Sequence, residues 1–138
     1  MQNRKIFEIV GIVSVVGSLL FVGVEIEDKE GDADWLTEKI VNLRIISDDK
    51  GKMNKSLKDT NQEVLVISQF TLCADTRKGR RPSFVNAESP ELSKKLYNKF
   101  ISCLADKGLE VQSGEFGSNM DVKLLNNGPV TFVLDSKD

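Results

Sequence analysis

The sequence predicts a single compact α+β domain over residues 1–138, in which antiparallel and mixed β-sheets form a barrel-like core with two main helices. The chain has 138 residues, of which 40% are apolar and 29% charged, as is usual for one globular domain. Short apolar runs rich in valine and isoleucine alternate with two longer segments whose apolar residues recur at helical spacing. The sequence contains no glycine-rich fingerprint of a dinucleotide-binding βαβ unit.

The N-terminal apolar stretch predicts the first two strands. Ile9–Val24 spans 16 residues without a charge and follows two basic residues, so its composition resembles that of a secretory signal peptide. It is shorter than the ~18 residues of a typical membrane-spanning helix, and it is rich in strand-forming valine and isoleucine. We therefore predict strands at Ile6–Val13 and Leu19–Val24 with a turn near Gly17-Ser18, and keep a targeting segment as the alternative.

Two amphipathic helices are predicted from capping residues and apolar spacing. Asp32 is the predicted N-cap of the first helix, in which Leu36, Ile40 and Leu43 recur at helical spacing. The second helix begins with Ser89 as N-cap and Pro90 at the first helical position, and Gly108 ends it. The apolar stripe of this helix is formed by Leu92, Leu96, Phe100 and Leu104.

The remaining elements are short strands and turns. Val64–Ile67 is a continuous apolar run, which is typical of a fully buried strand. Further strands are predicted at Leu109–Gln112, Met120–Leu125 and Val130–Leu134. Turns are predicted at Ser47–Gly51, Gly114–Gly117 and Asn126–Pro129.

Composition excludes several kinds of catalytic chemistry. The chain has no histidine, which rules out Ser-His-Asp and Cys-His catalysis and removes the commonest transition-metal ligand. Cys73 and Cys103 lack the CxxC spacing, so we expect a reducing, cytoplasmic compartment. We expect no metal, no other cofactor and no membrane partner. The net charge of −2 means that nucleic acid could bind only at a local basic patch.

One segment carries such a patch. Asp75–Pro82 reads DTRKGRRP and places four basic residues within five positions: Arg77, Lys78, Arg80 and Arg81. A compact group of cations without a compensating acid can dock a phosphate backbone. A solvated loop is an equally good interpretation of the composition.

Polar residues also follow the buried strand directly, at Ser68-Gln69-Phe70-Thr71. Composition alone favours a role in satisfying the end of the strand over a role in binding a ligand. This segment nevertheless resembles the SQxxT motif of the D-aminoacyl-tRNA deacylases, and Asn126–Thr131 resembles their NxGPxT motif. Four further blocks are also similar to the family: Asn42–Ile45, Gly51–Asn54, Arg80–Phe84 and Gly114–Met120. The resemblance runs from about Leu19 to Asp135 and departs at the N-terminus, where Gln2, Asn3 and Arg4 do not align with the family's Gln-Arg pair.

The resemblance implies hydrolysis of the ester in D-aminoacyl-tRNA, with glycyl-tRNA as a second substrate. It implies a cytoplasmic homodimer in which a cis Gly128-Pro129 turn of one subunit reaches the active site of the other. The turn would reject L-aminoacyl groups by collision. The basic residues of Asp75–Pro82 would hold acceptor-stem phosphates.

The resemblance also implies roles for single residues. Backbone amides of Phe70 and Thr71 would bind the developing oxyanion, and the Thr71 side chain would position the substrate first and act as nucleophile second. The substrate pocket would be lined by Ser68, Gln69, Phe116, Met120 and Asn126. Core packing is an equally good account of Phe116 and Met120.

Two other functions remain open from the sequence. One is a tRNA- or RNA-binding module without catalysis, in which the divergent N-terminus disables the Gly-Pro turn. The other is a small-ester or peptide hydrolase that uses Thr71 directly.

Overall fold

The computed structural model describes residues 17–138, which form five strands, three α-helices and one 3-10 turn. In chain order the elements are β1 (Gly17–Val22), α1 (Glu30–Asn42), β2 (Ile46–Ser47), β3 (Met53–Lys55), α2 (Leu57–Thr60), β4 (Glu63–Ser68), the 3-10 turn (Phe70–Cys73), α3 (Pro90–Asp106) and β5 (Val111–Ser113). The α+β class is therefore confirmed. The two main helices of the prediction are α1 and α3.

Strand β4 is the centre of a parallel sheet with the order β1-β4-β5. Its residues Val64–Ile67 are all buried, which confirms the predicted internal strand. A central parallel strand is covered on both faces, so its sequence is apolar at successive positions rather than at alternate ones. The carboxyl end of β4 at Ser68 therefore projects from the best-packed part of the molecule.

The core lies between this sheet and the two long helices. Helices α1 and α3 pack against each other and against Val64 and Val66 of β4. Helix α3 contributes Tyr97, Phe100 and Leu104, which are all nearly inaccessible. Leu92 was predicted on the same apolar stripe, but 47% of it is exposed, because the core-facing side of the helix begins at Tyr97.

Helix capping is confirmed for α3 and corrected for α1. The Ser89 hydroxyl accepts a hydrogen bond from the Leu92 amide, and Gly108 follows the helix with a φ of 88°, which favours glycine. For α1 the N-cap is Lys29 rather than Asp32. The Asp32 carboxylate accepts from the Lys29 amide at 2.8 Å, so the acid caps the helix from within its first turn.

The predicted turn at Gly17-Ser18 is wrong, because both residues lie in β1 beside Glu63 and Val64. A Cβ atom at Gly17 would lie 2.4 Å from the Glu63 carbonyl oxygen, so glycine here allows the two strands to approach closely. The predicted strand Leu19–Val24 is present but ends at Val22. The predicted strand Ile6–Val13 and the alternative of a targeting segment fall mainly outside the described residues.

The barrel-like core is also wrong for the described part of the chain. The parallel sheet has open edges at β1 and β5, and β2 and β3 form a separate antiparallel hairpin. Closing a barrel requires the two edge strands to pair, and within residues 17–138 they do not.

Two predicted strands near the C-terminus do not form. Met120–Leu125 and Val130–Leu134 have suitable apolar residues, but neither segment is paired with a strand in the sheets of residues 17–138. The predicted strand at Leu109–Gln112 is present one or two residues later, as β5. The predicted turns at Ser47–Gly51 and Gly114–Gly117 are confirmed.

No helix within residues 17–138 combines the length and the apolar character needed to cross a bilayer.

Candidate active site

The Ser68–Thr71 segment lies at the carboxyl edge of the parallel sheet. Strand β4 ends at Ser68, and the Gln69 amide donates to the Val22 carbonyl at 2.8 Å, so the chain turns directly over the end of β1. A Cβ atom at Gly23 would lie 3.0 Å from Leu72 Cβ and 3.1 Å from Cys73 Sγ, so glycine allows the 3-10 turn to pack here. The carboxyl edge of parallel strands is a common location for ligand sites in open sheets.

Within this segment the side chains of Gln69 and Thr71 contact each other. Gln69 Nε2 donates to Thr71 Oγ1 at 2.5 Å, on the solvent side of the turn. Among the described residues no carboxylate or amine side chain hydrogen-bonds to Thr71. A threonine hydroxyl without a neighbouring base is a weak nucleophile, so this geometry favours positioning.

The backbone of the 3-10 turn offers donors. The first amide bonded within the turn is that of Leu72, which donates to the Gln69 carbonyl at 3.2 Å, so the preceding amides of Phe70 and Thr71 have no partner within the turn. Backbone amides of this kind can stabilise a developing negative charge without any ionisable side chain.

The Asn126–Thr131 segment forms a self-contained turn. Asn126 Nδ2 donates to Thr131 Oγ1 at 2.9 Å, and Asn126 Oδ1 accepts from the Val130 amide at 3.0 Å. The Gly128-Pro129 peptide bond is cis, as the resemblance implied. Gly128 has a φ of 143°, and a Cβ atom there would lie 2.9 Å from Val130 Cγ2, so only glycine fits this position without strain.

The two turns are not bonded to each other in the described part of the chain. No hydrogen bond or ring contact joins Ser68–Thr71 to Asn126–Thr131 in residues 17–138. Every residue of the second turn is exposed. Each turn therefore keeps its shape without support from the other.

Phe116 and Met120 lie beside the end of β5. The Phe116 ring packs on the buried Tyr97 ring with centroids 5.7 Å apart, and Phe116 belongs to the layer around the core. Met120 Sδ fills the space beside Gly114, where a Cβ atom would lie only 2.5 Å from it. Both residues are half-buried, so each packs on the core and also presents a surface.

Tyr97 is a residue that the sequence analysis did not select. Its hydroxyl donates to the Val66 carbonyl at 2.8 Å, and the Gly114 amide donates to the same oxygen at 3.3 Å. Burial raises the pKa of Tyr97, so it remains a neutral donor. Helix α3 and the segment after β5 are thus joined to β4 two residues before Ser68. Tyr97 is next to the predicted apolar stripe of the helix, and a buried tyrosine needs a hydrogen-bond partner for its hydroxyl, so the sequence offered one indication of this role.

The basic loop of Asp75–Pro82 is exposed, and its base is closed by Asp75 and Ser83, whose backbones exchange hydrogen bonds at 2.8 and 2.9 Å. The prediction of four cations without a compensating acid is wrong for Arg77. Its guanidinium donates to the Asp75 carboxylate at 2.7 and 2.9 Å, and this pairing holds the pKa of Asp75 well below its usual range. No acidic partner is found within residues 17–138 for the other three cations, Lys78, Arg80 and Arg81.

Comparison with known proteins identifies the family. The sequence model described as D-Tyr-tRNA(Tyr) deacylase matches residues 6–135. The chain belongs to the D-Tyr-tRNA(Tyr) deacylase family. The resemblance seen in the two motifs is thereby confirmed, and both motifs lie inside the matched segment.

Relatives of the chain include proteins named D-aminoacyl-tRNA deacylase and one named inactive D-aminoacyl-tRNA deacylase. A D-aminoacyl-tRNA deacylase of Thermotoga petrophila is 53% identical over 120 residues, which cover 87% of this chain and 80% of the relative. An inactive D-aminoacyl-tRNA deacylase of Bacillus subtilis is 49% identical over 130 residues, which cover 94% of this chain and 98% of the relative.

Two solved structures share the fold. The c-Myc DNA unwinding element binding protein superposes with a TM-score of 0.78 at 36% identity, covering 85% of this chain and 80% of that one. A probable eukaryotic D-amino acid tRNA deacylase superposes with a TM-score of 0.62 at 14% identity, covering 73% and 75%, which supports the fold alone.

Cys73 is poorly placed to act as a nucleophile. Cys73 is buried and its thiol donates to the Val24 carbonyl at 3.4 Å, and burial raises its pKa, so it stays protonated. In the described part of the chain, no three Cys, Asp or Glu side chains are arranged to hold a metal ion.

Proposed function

We propose that this chain is a D-aminoacyl-tRNA deacylase. It hydrolyses the ester between a D-amino acid and the terminal ribose of tRNA, releasing the free D-amino acid and the tRNA, and it also accepts glycyl-tRNA. The observation that carries the proposal is the presence of two preformed turns, Ser68–Thr71 and Asn126–Thr131, inside the segment that matches the family. We place the reaction in the cytoplasm, where charged tRNA is used.

The chemistry rests on backbone groups. Water attacks the ester carbonyl, and the amides of Phe70 and Thr71 bind the oxygen that becomes negatively charged. Without histidine, and with no base beside Thr71, the chain offers no side-chain relay among its described residues. The 2′-OH of the substrate ribose therefore assists proton transfer to the departing ribose oxygen. The Thr71 side chain, bonded to Gln69, positions the substrate.

The pocket is assembled from the surroundings of this turn. Ser68 and Gln69 line the space for the adenosine or the aminoacyl group, and Phe116 and Met120 form its apolar wall. Asn126 uses both ends of its amide to hold the second turn, so it contributes to binding mainly through the shape of Gly128-Pro129.

Discrimination between D and L substrates is assigned to Gly128-Pro129. An L side chain would point into this rigid turn, whereas a D side chain would point away from it. The turn comes from the second subunit of a homodimer, as the resemblance to the family implies. The absence of a hydrogen bond between the turn and Ser68–Thr71 within residues 17–138 supports this assignment. The apolar side chains near it support a covered surface, since Leu125 is 85% exposed and Val133 is 92% exposed.

The basic loop binds the acceptor stem. Lys78, Arg80 and Arg81 contact phosphates directly, and Arg77 stabilises the loop through its pair with Asp75. Neutralising Arg80 and Arg81 should weaken tRNA binding and flatten its salt dependence. Unchanged binding would contradict this role.

The decisive test is release of labelled amino acid from D-tyrosyl-tRNA and L-tyrosyl-tRNA by the purified chain. We expect rapid hydrolysis of the D ester and no hydrolysis of the L ester. Thr71→Ala should reduce the rate moderately if Thr71 positions the substrate. A complete loss of activity would support the nucleophilic alternative, particularly if simple esters were cleaved without tRNA.

The second candidate is a tRNA-binding protein without catalysis. It is favoured by the similarity to the inactive Bacillus subtilis relative, whose alignment covers more of this chain than that of the Thermotoga petrophila enzyme. Tight binding of tRNA by a folded dimer that hydrolyses neither ester would establish this function instead.

A further inference from the structure

Two phenylalanine rings, the exposed Phe70 and the half-buried Phe84, pack against each other beside the candidate active site. The Phe70 and Phe84 centroids are 4.9 Å apart and the ring planes are tilted by 59°. Phe70 is 59% exposed, although it directly follows the residues that turn over the sheet edge. We refer to Phe70 and Phe84 as the aromatic step. A large apolar surface of this kind next to a polar site indicates contact with a ligand that has an apolar face.

The aromatic step is held in place by the loop that carries the basic residues. The backbone exchange between Asp75 and Ser83 closes the base of the loop, and Phe84 follows Ser83 directly. Phe84 is therefore fixed opposite the 3-10 turn, while the cations of the same loop remain exposed. One short segment thus presents an aromatic surface and positive charge together.

This combination fits one class of ligand. Single-stranded nucleic acid carries a phosphate on every nucleotide and a flat base that stacks on aromatic side chains. RNA-binding proteins commonly recognise unpaired nucleotides by such stacking. An apolar protein surface would fit the rings, but it would not match the adjacent charges of Lys78, Arg80 and Arg81.

We propose that the aromatic step is a stacking platform for an unpaired base on the 5′ side of the esterified adenosine. The proposal rests on the proposed function, because the Phe70 and Thr71 amides define where the ester lies. The base before the esterified nucleotide would lie flat on one ring and contact the edge of the other, because the ring planes are tilted by 59°. Its phosphate would lie toward the basic loop. Stacking tolerates any base, so this contact aligns the acceptor strand without selecting among tRNAs.

The test compares two substrates of the full-length protein. D-tyrosyl-tRNA contains the upstream nucleotides, and D-tyrosyl-adenosine lacks them. For Phe84→Leu we expect kcat/KM on D-tyrosyl-tRNA to fall roughly tenfold, mainly through KM, with no change on D-tyrosyl-adenosine. Phe84→Tyr should restore the activity on tRNA, because it keeps the aromatic face. Val85→Ala is the matched control, since this neighbour is 72% exposed and lies outside the step.

Salt dependence separates stacking from charge. Phe84→Leu should weaken tRNA binding without changing the slope of log affinity against log salt concentration. Arg80→Ala should instead reduce that slope by about one.

Several results would overturn the proposal. Equal loss on both substrates would mean that Phe84 only supports the 3-10 turn. Conversion of Phe84→Leu to a monomer in sedimentation would mean that a second copy covers the step.

If the wild-type protein hydrolyses neither ester, the proposed function fails. The aromatic step is then tested by measuring the affinity for uncharged tRNA with and without its unpaired 3′ nucleotides. If Phe84→Leu lowers the affinity for the intact tRNA but not for the shortened tRNA, the result supports the aromatic step. If the affinity for both falls equally, the result contradicts it.

Discussion

The two turns of the candidate site are positioned by different means. Ser68–Thr71 extends from a strand whose residues are buried, and Tyr97 fixes that strand through a hydrogen bond across 31 positions of sequence. Asn126–Thr131 is shaped by hydrogen bonds within itself and lies among exposed residues. The first turn is thus preorganised by the fold of one chain. The second has a defined local shape, and under the proposed function its place in the site depends on a second subunit.

The largest effect is expected from a change in the shape of the second turn. Gly128→Ala would introduce a Cβ atom 2.9 Å from Val130 Cγ2 at a φ that favours glycine. A displacement of about 1 Å at a reacting centre can reduce a rate ~100-fold, so we expect a loss of this size with D-tyrosyl-tRNA. Thermal unfolding should change little, because the turn is exposed. Gly31→Ala is the control, since a Cβ atom there meets no atom within 4 Å.

The next prediction concerns the surface that carries this turn. Leu125→Asp places a charge on a side chain that is 85% exposed in the single chain. If a second copy covers it, burial of an unpaired charge should convert the dimer to monomer and reduce activity more than tenfold. Analytical ultracentrifugation and the deacylation assay measure both effects. The control is Leu92→Asp on α3, where the side chain is 47% exposed, and it should change neither the oligomeric state nor the activity. A Leu125→Asp variant that remains a dimer would contradict a site shared between two subunits.

A smaller effect is expected at the first turn. Tyr97→Phe keeps the packing on Phe116 but removes the hydrogen bond to the Val66 carbonyl. The free energy of unfolding should fall by about 1 kcal/mol, as measured by denaturant titration. The activity should fall severalfold, because the strand end before Ser68 loses one of its two donors. The control is Thr37→Val, which removes another buried hydroxyl, one that donates to the Ala33 carbonyl. If this variant loses as much activity as Tyr97→Phe, the loss of activity in both variants follows from the loss of stability alone.

The smallest effect concerns the end of the chain that follows the second turn. Lys137 Nζ lies 3.4 Å from Asp28 and 3.5 Å from Glu25, so it links the C-terminus to the loop before α1. Lys137→Ala should lower Tm slightly at low ionic strength, and the difference should disappear at about 1 M salt, where the Debye length is ~3 Å. Lys123→Ala is the control. A difference that persists in high salt would indicate a role other than electrostatic attraction.

Local signals predicted the parts of the fold that depend on neighbouring residues. The start of α3 at Ser89 and Pro90 was correct because a cap and the first helical turn lie within four residues of each other. Strand β4 was correct because its apolar run is continuous. Asp32 was misassigned because an acid can cap a helix from the N-cap or from the third position.

Strand pairing could not be predicted in the same way. Met120–Leu125 and Val130–Leu134 carry strand-forming residues, but a strand forms only where another strand accepts its hydrogen bonds. The same reason explains the absence of barrel closure in the described part of the chain. The pairing of Arg77 with Asp75 was missed because the loop had been considered only as a group of cations.

Local sequence patterns were enough to predict the α+β class, the family motifs and the glycine that the second turn requires, because each depends on residues close together in the chain. The parallel order β1-β4-β5, the bond from Tyr97 to Val66 and the contact between Phe70 and Phe84 became known only from the folded chain. These features join segments up to about 50 residues apart, as in the pairing of β1 with β4 and β4 with β5. Their free energy depends on burial and register across the whole core, which no local pattern encodes.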